Sequence, residues 1–206
     1  MRNYVPAALL LLAVLIVGGI VFENRMGVLG HHTAEERMNH FQYSTYRGTP
    51  HGLLVDFEYP EGWWLHEEHG QVERYKQARL TGPRNRAESY SCYFAIQEFP
   101  LKAYGGTLQS ADELLHRYTD HLPQDAQTSV NHLTLSGLTA MDVRVSYLSR
   151  PWHHQGLKAV EIPIKTRVVV VGKDPYLYQI AYSVDASEYD LYAEAFDHLL
   201  RTFRIR

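Results

Sequence analysis

Residues 141–147, MDVRVSY, set Met141, Val143, Val145 and Tyr147 on one side of the chain and Asp142, Arg144 and Ser146 on the other. Successive side chains of a strand point to opposite faces, so this stretch reads as a strand with one buried and one wet face. That is the pattern of an antiparallel sheet. Working outward, residues 53–59, 72–80, 88–99, 128–136, 138–149, 160–171 and 176–184 are each rich in β-branched or aromatic residues. Gly, Pro, Asn or Asp bounds each run, as strands require. Gly172-Lys-Asp-Pro175 closes a hairpin between the last two of them.

Two helices interrupt the strands. Ser110-Ala-Asp-Glu113 is a capping box that opens SADELLHRYTDHL, and Pro123 stops it. Its apolar stripe is Ala111, Leu114, Leu115, Tyr118 and Leu122. A second helix is expected over residues 187–203, with a stripe of Tyr189, Tyr192, Ala193, Phe196, Leu199, Leu200 and Phe203. A face of that size must dock on the sheet, because each large member stabilises by ~1.5–3 kcal/mol only when buried. Strands that dominate, with helices inserted between groups of them, give an α+β class.

The chain has 206 residues, 45% of them hydrophobic and 21% charged, an ordinary globular balance. A net charge of −3 gives no electrostatic footprint for nucleic acid. Cys92 is the one cysteine, so no intrachain disulfide is available. Tyr90, Cys92, Phe94 and Ile96 share one face at period two, which makes Cys92 a core residue.

Val5 to Phe22, VPAALLLLAVLIVGGIVF, carries no charge and is long enough to cross a hydrocarbon layer of ~30 Å. Arg2 and the α-amino group precede it, which predicts an N-terminus in the cytoplasm and an exported C-terminal part, periplasmic or at the cell surface. No A-x-A-like cleavage site follows the run, so residues 1–22 read as a single-pass anchor, with a cleaved signal segment as the rival. Residues 23–52 read as a juxtamembrane linker with a short helix opened by the capping box Thr33-Ala-Glu-Glu36, and residues 53–206 as the folded domain. Capping by Thr33 leaves His32 outside that helix, so His32, Glu36 and His40 do not line up as metal ligands.

Chemistry-bearing motifs are few. There is no G-x-S-x-G elbow, and VVGKDP lacks the upstream glycine of a P-loop. In FEYPEGWWLHEEHG, residues 57–70, His66 and His69 are three apart rather than the four that a helical zinc motif needs. Within one strand they leave opposite faces, so a divalent metal site would have to combine one of them with His153 or His154 of the loop Trp152-His-His-Gln-Gly156. Alternation sends one ring of the Trp63–Trp64 pair into the core and the other towards the surface. Trp64 and Trp152 are the candidate partner-binding aromatics.

Several of these stretches resemble PsbP-like domains, named for an extrinsic subunit of the photosystem II oxygen-evolving complex. Phe57-x-Tyr-Pro-x-Gly-Trp63 is similar to that family's F-x-Y-P-x-G-W opening, and Leu80-Thr-Gly-Pro83 to its early G-P turn. Tyr178-Gln-Ile-Ala-Tyr182 with Tyr189, Tyr192, Phe196 and Phe203-x-Ile205 is similar to its last strand and C-terminal helix, with Thr202 where serine is usual. The resemblance spans residues 53–206 and implies an α/β/α sandwich around a central antiparallel sheet, here preceded by an N-terminal transmembrane helix. It implies a binding or assembly module of the bacterial envelope without cofactor or catalytic residues, acting on a protein partner. In place of the transit peptide and long N-terminal arm of plant photosystem subunits, this chain has the apolar segment and a short linker.

Overall fold

In the computed structural model, which describes residues 41–206 apart from 50, 71–74, 89 and 150–160, the strands divide between two sheets. The smaller is three-stranded, in the order β1 (Tyr43–Arg47), β2 (Val55–Pro60), β10 (Arg204–Ile205). The larger is seven-stranded. Its members are β3 (Trp64–His69), β4 (Lys76–Arg84), β5 (Ser91–Pro100), β6 (Gln127–Leu135), β7 (Leu138–Ser149), β8 (Ile162–Lys173) and β9 (Tyr176–Asp185). Their spatial order is β3-β4-β5-β9-β8-β7-β6, and every pairing in both sheets is antiparallel. Among the described residues the α-helices are α1 (Ala111–Thr119) and α2 (Tyr189–Thr202), so the fold is sheet-rich α+β.

The large sheet lies between two apolar layers. On one face Phe94, Ile96, Leu80, Ile180 and Tyr182 pack with Tyr192, Phe196 and Leu199 of α2 and with Val55 and Phe57 of the small sheet. On the other, Val143, Val145, Val168 and Val170 pack with Leu114 of α1. Central strands β5, β8 and β9 are therefore buried on both sides, which is why VVVV at 168–171 reads as an unbroken apolar run. Ser110 caps α1, its side chain accepting a hydrogen bond from the Glu113 N–H, as the capping box predicts.

The face of β7 expected to be wet is only partly so. Arg144 is exposed, but Asp142 is buried and receives the Arg167 guanidinium at 2.8 and 3.0 Å. Arg167 also reaches Asp197 of α2 at 2.6 Å, so a charged triad pins the helix where apolar packing ends. On the far flank of α2, His198 meets Glu58 at 2.6 Å and stacks on Tyr43.

The structure differs from the sequence reading at the N-terminal end of the domain. Tyr43–Arg47, placed in the linker, is a strand paired along its length with β2. Two sheets stand where one central sheet was expected. Tyr90 turns away from the face of Cys92, Phe94 and Ile96, and its hydroxyl lies 2.8 Å from Ser183 Oγ. The segment read as an anchor (1–22), the capping box at 33–36 and the histidine loop at 152–156 lie outside the described residues. Among the described residues no helix is long and apolar enough to cross a membrane.

Candidate functional site

The site grows from the turn at residues 60–63. Gly62 adopts φ of 80°, and the Trp63 N–H returns to the Pro60 carbonyl at 3.3 Å. This turn fixes the phase of β3, and with it the fate of the two tryptophans. Trp63 is buried against Phe94, at 4.6 Å between centroids, and Tyr192, at 5.8 Å. Gly82 of β4 lies against its ring: a Cβ there would come within 2.6 Å of the indole. Trp64, one residue on, is 52% exposed. The inward and outward rings expected from alternation are both observed.

Trp64, His66 and Glu68 share the outer face of β3, and register places them opposite Thr81, Arg79 and Gln77 of β4. The Trp64 and His66 rings stack with centroids 5.1 Å apart and planes 12° from parallel. Beside them the Arg79 guanidinium lies over the Tyr93 ring at 4.7 Å, a cation–π contact. Arg79 Nε is buried without a hydrogen-bond partner among the described residues. Behind the rim, a ladder of buried amides continues the row inward. Gln179 donates to Gln97 at 3.0 Å, and Gln97 donates to Gln77 at 2.7 Å.

The opposite face of β3 is fastened down. The Tyr46 hydroxyl donates to Glu67 Oε1 at 2.6 Å and accepts the Leu53 N–H at 3.2 Å. Beneath, Glu98 is buried, accepts the Leu54 N–H at 2.8 Å and faces Lys76 Nζ at 3.7 Å. Burial raises the Glu98 pKa above the ordinary carboxylate value, more than the Leu54 N–H and Lys76 lower it. Lys76 also donates to the Gly52 carbonyl at 2.8 Å, so this polar cluster holds residues 52–54 against the large sheet.

His66 and His69 both lie exposed on β3, on opposite faces. His66 Nε2 sits 3.3 Å from Glu68, and His69 is in register with Lys76. Their expected companions His153 and His154, and the second candidate aromatic Trp152, lie outside the described residues. Among the described residues no three His, Cys, Asp or Glu side chains group as metal ligands do. Cys92 is buried, and burial together with the Glu188 carboxylate raises its pKa well above the usual thiol value, so it is a protonated core residue.

Two groupings were not legible beforehand. Arg79 and Tyr93 meet across β4 and β5; period two puts Arg79 on the same face as Gln77 and Thr81, but only the register identifies its partner. Tyr90, Ser183 and Thr166 form a hydroxyl chain with steps of 2.8 and 3.0 Å, near which burial raises the pKa values of Tyr118 and Tyr147. An open cleft between the β6–β7 turn and the end of α2, lined by Ser136, Gly137, Leu200, Arg201 and Arg204, contains no acid–base pair.

No family model matches the sequence, and no curated protein matches it. Among solved structures, the chain is similar to LpqN, involved in cell envelope biogenesis of Mycobacterium tuberculosis. The identity is 18%, over 82% of this chain and 92% of that one, with a TM-score of 0.47. It is similar to the cyanobacterial PsbP, CyanoP, of Synechocystis at 16% identity, over 88% of this chain and 99% of that one, with a TM-score of 0.48. A Bacteroides thetaiotaomicron structure matches at 12% identity, over 74% of this chain and 45% of that one, with a TM-score of 0.44.

Proposed function

We propose that this chain is a non-enzymatic, membrane-tethered, extracytoplasmic module that binds a protein partner of the cell envelope through the outer face of the β3 rim. The observation that carries the reading is the exposed Trp64 ring, stacked on His66 and flanked by Arg79 over Tyr93. Trp, Tyr and Arg are the residue types that dominate protein–protein hot spots, because each covers a large area at modest entropic cost. A lone exposed apolar side chain is ordinary on a protein surface, so the weight falls on Trp64, His66, Arg79 and Tyr93 gathering on one face. The anchor and the export reading come from residues 2–22.

The test uses the full chain in its own membrane, with a photo-crosslinking amino acid at position 64. One discrete protein adduct is expected, and Trp64→Ala should weaken capture of that protein by ~2 kcal/mol or more, about thirty-fold. A folded chain that yields no adduct from position 64, or whose captured partner is indifferent to Trp64→Ala, overturns the reading.

A further inference from the structure

The far edge of the large sheet poses a separate question. Strand β6, QTSVNHLTL, is nine residues long and pairs with β7 without a bulge, from Gln127 opposite Ser146 to Leu135 opposite Leu138. Residues 127–132 are exposed on both faces, and no strand among the described residues pairs with the outer edge. The strand contains no Asp, Glu, Lys, Arg, Pro or Gly. Proteins normally blunt a free edge by shortness, charge, proline or a bulge, and β6 has none of these.

We propose that the outer edge of β6 pairs antiparallel with β6 of a second copy of this chain, about a two-fold axis through Val130. Three observations select this occupant. The strand matches itself in that register. Val130, 51% exposed, meets its own copy, while Thr128 faces His132 and Ser129 faces Asn131. No pair sets like charges together, and Thr128, Ser129, Asn131 and His132 each meet a side chain able to hydrogen-bond, while Gln127 faces Leu133. Second, an uncharged edge offers nothing to select a charged foreign strand, the usual means of discriminating partners. Third, an isologous pairing consumes both open edges at once. The joined sheet then ends on β3 at both extremities, where Glu67 and Glu68 discourage further addition, so growth stops at two copies. A contact of one strand pair is smaller than a standard stable interface, so the association is weak and concentration-dependent.

Cysteine cross-linking in the full chain tests this, because the native Cys92 is buried and does not compete. Directly opposed residues of an antiparallel pair have Cα atoms ~4.5–5.5 Å apart, within disulfide reach. Under copper–phenanthroline, Val130→Cys is expected to give a disulfide dimer, while Tyr104→Cys, an exposed position away from β6, gives only background. Mixing a Thr128→Cys chain with a His132→Cys chain should yield the mixed dimer and neither homodimer, since like positions would stand about 13 Å apart at ~3.3 Å per residue. Val130→Lys should abolish concentration-dependent dimer in sedimentation while leaving the circular dichroism unchanged. A Val130→Cys chain that stays monomeric overturns the proposal, as does cross-linking to a different protein or equal yields from all three cysteine positions.

Discussion

The two ends of the seven-stranded sheet solve the problem of an open edge in opposite ways. At β3, six residues long, Glu67 and Glu68 charge the rim, and side chains on one face are fastened to the body through Tyr46 and the neighbouring Trp63. At β6 only the C-terminal part is held. Leu133 and Leu135 pack on the core, and Ser136 Oγ donates to the Phe203 carbonyl at 2.7 Å, while residues 127–132 stand clear. The first rim presents fixed side chains, the second a row of backbone groups that no strand pairs with among the described residues. A side-chain surface suits recognition of a distinct partner. A bare backbone edge suits strand addition. On the two readings proposed above, one sheet would carry two separable modes of association.

The largest way to break this contrast is Trp63→Ala. The indole packs on Phe94 and Tyr192, and its loss is expected to destabilise the protein by ~3–5 kcal/mol. Hydrogen exchange should show β3 and β4 losing protection first, with residues 127–132 unchanged relative to the rest. If β6 loses protection in step with β3, the two rims belong to one cooperative unit and the contrast between fixed and free fails. Tyr46→Phe is a smaller intervention on the same anchorage. It removes the hydroxyl that donates to Glu67 and accepts from the buried Leu53 N–H, and leaving that N–H unpaired costs ~1–3 kcal/mol. Urea denaturation measures the loss, and an unchanged midpoint would mean that the hydroxyl does not fasten the rim.

How much of this was legible follows from where each strand lies. Residues 138–149, 160–171 and 176–184 read nearly to their true bounds, because their alternation or unbroken apolar run reports a fixed environment. β1 was hidden in the linker: YSTYR is polar, and its burial arises from pairing with β2, which local pattern does not encode. β3 is absent from the strands read in the sequence, since an edge strand with most residues exposed on both faces shows no alternation. Gly82-Pro83 read as the end of a strand, yet β4 continues to Arg84 through a shift of register after Thr81. The Trp63–Trp64 division was legible because it needs only period two. The Arg79–Tyr93 contact was not, because it needs the β4–β5 register, and neither was the division into two sheets, which depends on where residues 204–205 return.

The smallest expected effect concerns the carboxylate beneath the fixed rim. Glu98 is buried, and its folded pKa is raised by desolvation against the opposing pull of the Leu54 N–H and Lys76. In the unfolded chain it titrates near the ordinary value of about 4.5. Between those two values the folded state binds more protons than the unfolded one, so the Glu98 contribution to stability is present below the unfolded pKa and lost as pH rises through the folded pKa. Glu98→Gln keeps an acceptor for the Leu54 N–H and removes the titration. The stability of the wild type relative to this variant should therefore fall between pH 4 and neutrality, while all other groups cancel in the difference. Urea midpoints of the two proteins at both pH values measure this. A difference that is constant, or that grows towards neutrality, would mean that Lys76 compensates the buried charge fully in the folded state. The β6 rim, which has no carboxylate or lysine, supplies the control: cysteine pairing at position 130 should be the same in the Glu98→Gln background. A change there would tie the free edge to the anchored one after all.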